Sequence, residues 1–130
     1  MPKIVVDRKG RVASLLNVQY FKFYIGFSLV FVVLSFVLPL WRLFPDLYGK
    51  EIIPLHYNIH FGVDWTGAWW RIFVYPVSGV ILSAFNTLLA LFLVKREPML
   101  ARVVLISTMI LTAFLLCSTV FVVLMNVVYG

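Results

Sequence analysis

FYIGFSLVFVVLSFVLPLW, residues 23–41, is a run of nineteen residues without a single charge. Wound as a helix at about 1.5 Å per residue it reaches roughly 28 Å, close to the hydrocarbon core of a bilayer at about 30 Å. Tyr20, Tyr24 and Trp41 stand at its ends, where an interfacial aromatic belt is expected. A cleaved signal peptide fits poorly, because its apolar region runs to about 7–15 residues and ends in small residues. The stretch VLPLWRLF offers no such cleavage site. The run reads as a retained signal-anchor helix.

Two more runs follow, FVYPVSGVILSAFNTLLALFLV at 73–94 and VVLISTMILTAFLLCSTVFVVLMNVV at 103–128. Both are long enough to span with some tilt. Pro76 falls in the first turn of the second run, where a missing backbone N–H costs little. Only KREPMLAR separates the two, which predicts a tight antiparallel helix pair, with Pro98 suited to the first helical position. The expected fold class is therefore all-α integral membrane, with three transmembrane helices in a domain of residues 23–128. A long loop at 42–71 connects the first two helices, and a basic segment at 1–22 precedes them.

Composition agrees. Hydrophobic residues make up 63% of the chain, and the mean hydropathy is +1.03. Only 12% of residues are charged, against about 25% in soluble domains, too few to coat a surface in water. The lone Cys117 excludes an internal disulfide and lies in an apolar run, where a thiol acts as a small hydrophobe.

The net charge of +6 is spread in a way that suits lipid head groups, not nucleic acid. Eight basic residues (Lys3, Arg8, Lys9, Arg11, Lys22, Lys95, Arg96 and Arg102) fall on one side of the predicted membrane. Three fall on the other: Arg42, Lys50 and Arg71. Short loops rich in Lys and Arg stay cytoplasmic, so the N-terminus and the 95–102 link are expected inside, and the 42–71 loop and the C-terminus outside. The stretch VVDRKGRV reads either as a small hairpin around Gly10 or as a segment lying on anionic lipid, the second being preferred.

Within the spans, Gly79, Ser83, Asn86 and Ala90 share one helix face by their spacing, and Thr108, Thr112, Thr119 and Asn126 share another. Small and hydroxyl residues on such faces let helices approach closely and hydrogen-bond. They also admit a second reading as a polar conduit. A conduit usually needs an ionisable relay, and none of the three spans contains one, so helix packing is the expected role.

The loop at 42–71 is long for a connection, yet its composition is that of an ordered segment, with Tyr48, Tyr57, Phe61, Trp65, Trp69 and Trp70. It is expected to form a compact cap on the helix ends. Its centre, IPLHYNIHFGVDWTG at 53–67, gathers His56, His60 and Asp64 at steps of four. On a continuous helix those three would line one side as a ligand set for Zn²⁺ or Fe²⁺. Pro54 and Gly62 oppose a continuous helix, and no fourth ligand is evident. A His–Asp base is a second reading, but no nucleophile or phosphate-loop motif accompanies it. The third is structural: polar side chains satisfy the backbone of an irregular loop near lipid. The structural reading leads, with recognition of a partner behind it.

The pattern Pro54, His56, Tyr57, Asn58, Gly62 and Asp64, set between two spans, resembles a motif of a family of bacterial membrane domains of unknown function. That domain also stands at the front of SdpI-type immunity proteins, which protect cells against a secreted peptide toxin. The likeness covers roughly residues 29–94, with the glycine one residue later than in the commonest form. The chain looks closer still to small three-helix proteins of candidate-phylum bacteria. The resemblance implies a protein of the bacterial cytoplasmic (inner) membrane, with Pro54, His56, Tyr57, Asn58, Gly62 and Asp64 binding or structuring the loop.

The functional expectation is a non-enzymatic protein without cofactor, acting in an accessory, sensing or immunity-type role through the loop. Its expected partners are the lipid bilayer and a second copy or another membrane protein, with no nucleic acid. The alternatives are a small transporter or channel subunit using the polar helix faces, or a holin-like pore former.

Overall fold

The computed structural model describes residues 19–47 and 49–129. The reading of VVDRKGRV falls outside them. The chain runs as helix α1 (Gln19–Arg42), a short helix α2 (Phe44–Leu47), strands β1 (Ile52–Asn58) and β2 (Gly62–Ala68), a 3-10 turn (Trp69–Phe73), helix α3 (Val74–Leu93) and helix α4 (Pro98–Tyr129). Three of its helices are long and apolar enough to cross a membrane, the make-up of a multi-pass membrane protein.

The expectation of an all-α fold is corrected by the two strands, which form an antiparallel hairpin inside the predicted loop. Alternation explains it: Ile53 and Leu55 are buried while His56 between them and Tyr57 is exposed, the two-residue period of a half-buried strand.

The helix boundaries have local causes. In α1, Pro39 lies one turn from the end, and its carbonyl accepts the Leu43 N–H at 3.0 Å, closing the helix. Between α3 and α4 the chain reverses within residues 94–97, with the Arg96 and Glu97 N–H groups both donating to the Leu93 carbonyl, at 2.9 and 2.7 Å. The Ala101 N–H then donates to the Glu97 carbonyl at 3.0 Å, so Pro98 is the first residue of α4, where its missing donor is no loss.

Helix α4 is the central element, packed along both α1 and α3, which touch each other less. Two apolar clusters close the ends. At one end Ala90, Val94, Ala101 and Leu105 are buried with Phe21, Tyr24 and Ile25 against them. At the other, Leu43, Ile53, Leu55 and Ile72 join Val122, Val123 and Met125 of α4. This second cluster fixes the hairpin: Ile53 and Ile72 are 1% and 0% exposed, each burial contributing about 1.5–3 kcal/mol relative to water. A two-stranded hairpin is marginal alone, so its order comes from this seat on α4. Elsewhere the helices turn Phe85, Leu88, Phe92 and Phe114 outward, as a chain solvated by lipid does.

Candidate functional site

The hairpin is regular except at two places. Ile52 to Pro54 pair with Ala68 to Thr66, and Tyr57 and Asn58 pair with Val63 and Gly62. Between them the register shifts twice, so that Leu55 and Asp64 have no partner directly across. These compensating irregularities re-aim side chains, as bulges do. Leu55 turns into the cap core, and Asp64 comes beside His56 on the exposed face, where His56 Nδ1 meets Asp64 Oδ1 at 2.6 Å. An ionised carboxylate only accepts, so the imidazole carries its proton on Nδ1 and leaves Nε2 as a free acceptor in the neutral ring.

The tip is held by Asn58 and Gly62. Asn58 Oδ1 accepts the His60 N–H at 2.9 Å, a side-chain turn of the kind Asn favours. Gly62 closes the turn at φ +75°, with open space around the position of a Cβ. Gly62→Ala therefore costs backbone conformation alone, about 1–2 kcal/mol. Faster amide exchange confined to β1 and β2 is the expected sign, and unchanged exchange there would refute the assignment.

His60 parts company with the other two. It sits in the tip, ring to ring with Phe61, while His56 and Asp64 pair behind it. The alignment of His56, His60 and Asp64 along a helix does not form, because the segment is a hairpin. Among the described residues no three His, Cys, Asp or Glu side chains gather as a metal set would.

The seat of the hairpin involves residues that sequence reasoning placed elsewhere. Asn126 Nδ2 donates to the Pro54 carbonyl at 2.7 Å and to the Val122 carbonyl at 2.8 Å, binding β1 to α4. Tyr57 stacks on Tyr129, with centroids 5.5 Å apart and planes at 20°. Pro54 thus lies at Asn126 and Tyr57 at Tyr129, so β1 runs along the end of α4 and carries its tip past Tyr129. At that tip Ile59 and Phe61 are 84% and 83% exposed. Of the two, only Phe61 stands out in the sequence, as one of the aromatics that order the loop.

The helix-packing residues fall between helices. Gly79 is buried where α3 meets α1, and Asn86 Nδ2 donates to Thr108 Oγ1 of α4 at 3.0 Å. The hydroxyls of Thr108, Thr112 and Thr119 are buried but donate to carbonyls of their own helix, those of Val104, Thr108 and Leu115. They act mainly as compact packing, and the one bridge to α3 they make is through Asn86. Ser83 Oγ is buried without a hydrogen-bond partner among the described residues, beside a groove of about 420 Å³ between α1, α3 and α4.

Arg71, in the 3-10 turn, has its guanidinium over the rings of Trp65 and Trp70. No family model, curated protein or solved structure matches the chain.

Proposed function

We propose that the chain is a non-enzymatic binding protein of a bacterial cytoplasmic membrane, with the hairpin outside and the 95–102 link inside. The orientation is drawn from charge: eight basic residues lie toward the proposed inner side and three toward the hairpin. The role is accessory, sensing or immunity-type, the last drawn from the likeness of the loop motif to SdpI-type proteins. The observation that carries the reading is the tip itself. Two large apolar side chains, Ile59 and Phe61, stand almost fully exposed on a hairpin anchored through its base and carried beyond the helix ends. Exposed apolar groups on a pre-ordered element suit contact with another protein, because little ordering entropy is lost on binding.

The test is crosslinking in native membranes followed by pull-down, comparing the natural chain with an Ile59→Ser, Phe61→Ser double variant and with His56→Ala. A defined partner, a second copy included, is expected with the natural chain and lost with the tip variant, while detergent melting shows both folded. Equal capture by both chains would sink the role of the tip. His56→Ala separates recognition by the tip from recognition by the imidazole and its free Nε2.

A further inference from the structure

We propose that Arg71, beside Trp65 and Trp70, is a binding site for the phosphodiester of an anionic phospholipid. The guanidinium carbon lies 6.0 Å from the centre of the Trp65 ring and 5.9 Å from that of Trp70. Those rings steady the cation, but among the described residues the guanidinium makes no hydrogen bond or ion pair. The carboxylate of Asp64, one residue before Trp65, is engaged by His56. The five N–H donors of Arg71 therefore have no acceptor among the described residues, and they form a planar fork that matches two oxygens of a phosphate.

The surroundings are shaped to this side chain. A Cβ at Gly67 would stand 3.1 Å from Arg71 Cδ and 3.2 Å from its Nη1, and 2.7 Å from Leu55 Cδ1. The stem of Arg71 thus lies against Gly67 of β2, where a side chain would crowd it. Beside it opens a cavity of about 270 Å³ walled by Leu55, Trp65, Trp70, Val74 and Tyr75. A free phosphate would gain little from those apolar walls, whereas the glycerol and first acyl carbons of a lipid would bury against them. The position suits a lipid too. Arg71 lies in the 3-10 turn that leads into α3, near the start of the apolar stretch Trp69–Leu93 that is long enough to span, where head groups lie. This site depends only on the helices spanning a bilayer and is independent of what the hairpin tip contacts. Simple snorkelling of an arginine to the interface would need neither the flanking rings nor the gap at Gly67.

The full chain, purified and delipidated in detergent, is titrated with phosphatidylglycerol and followed by native mass spectrometry. One tightly held lipid is expected, bound about tenfold more weakly by Arg71→Gln. Arg71→Lys, which keeps charge but not the fork, is expected to fall between them, and excess inorganic phosphate is expected to leave the lipid in place. Equal lipid affinity for the natural chain and a folded Arg71→Gln variant would overturn the proposal. So would displacement by inorganic phosphate, which would make this a site for a free anion. Should Arg71→Gln fail to fold, equal affinity for the natural chain and Arg71→Lys overturns the forked contact.

Discussion

Asn126→Leu loosens the hairpin from α4 by about 1–3 kcal/mol, the cost of stranding a buried hydrogen-bonding group. Leucine is bulkier but keeps the four side-chain heavy atoms and the branch at Cγ, so a side chain only 8% exposed is replaced by one of similar outline. What disappears is the pair of Nδ2 bonds, to the Pro54 carbonyl at 2.7 Å and to the Val122 carbonyl at 2.8 Å. The two losses are unequal. The Val122 carbonyl, within α4, retains the backbone partner four residues on, while the Pro54 carbonyl faces an apolar side chain. The hairpin then rests on the apolar contacts of Ile53 and Leu55 and on the Tyr57–Tyr129 stack. Hydrogen exchange locates the effect. Amides of β1 and β2 should exchange about 5- to 150-fold faster, while those in the middle of α1 and α3 stay unchanged. Uniform acceleration along the chain would mean that the hairpin and helices unfold as one unit, and no change would mean that Asn126 is incidental to the seat.

The same bond marks the limit of local sequence reading. Pro54 and Asn126 are 72 residues apart, and nothing in either neighbourhood specifies the other. Spacing placed Asn126 on a helix face with Thr108, Thr112 and Thr119, and all four are indeed buried. A face is a periodic property and can be read; a partner requires the fold. The spans themselves were readable for a different reason. Apolar length is a bulk property, and the expected 73–94 run differs little from Val74–Leu93. At α4 the helix begins at Pro98, the expected first helical position, ahead of the apolar run at 103, because hydropathy marks where lipid starts and a helix continues beyond it.

The hairpin shows a competing period winning. His56, His60 and Asp64 invite a step of four, whereas Ile53, Leu55 and Tyr57 step by two. Those three, followed by Asn58 and Gly62 around a short turn, carried the strand signal. His56 and Asp64 do meet, but the geometry that joins them is the pair of register shifts at Leu55 and Asp64, which no residue type announces.

Gly79→Leu separates α1 from α3 and costs about 1–3 kcal/mol or more, as overpacking of a closely fitted contact does. A Cβ at Gly79 would already stand 3.1 Å from Val32 Cγ2 and 3.5 Å from Leu115 Cδ1, before any further carbon is added. Val32 is only 6% exposed, so it has little freedom to withdraw. Alanine asks for a shift of a few tenths of an ångström, which the end of a valine side chain can make. Leucine adds three more carbons, and the helices have to part. In lipid this matters more than the lost area suggests. No hydrophobic drive restores the contact, since a parted valine is as well solvated by acyl chains as by α3, and close backbone approach is what holds such helices together. The Asn86–Thr108 bond links α3 to α4, not to α1, so it offers no compensation. A melting series in detergent on the natural chain, Gly79→Ala and Gly79→Leu should show a small step and then a large one. Two equal steps would indicate that helix propensity at this position, and not the approach to Val32, sets the stability.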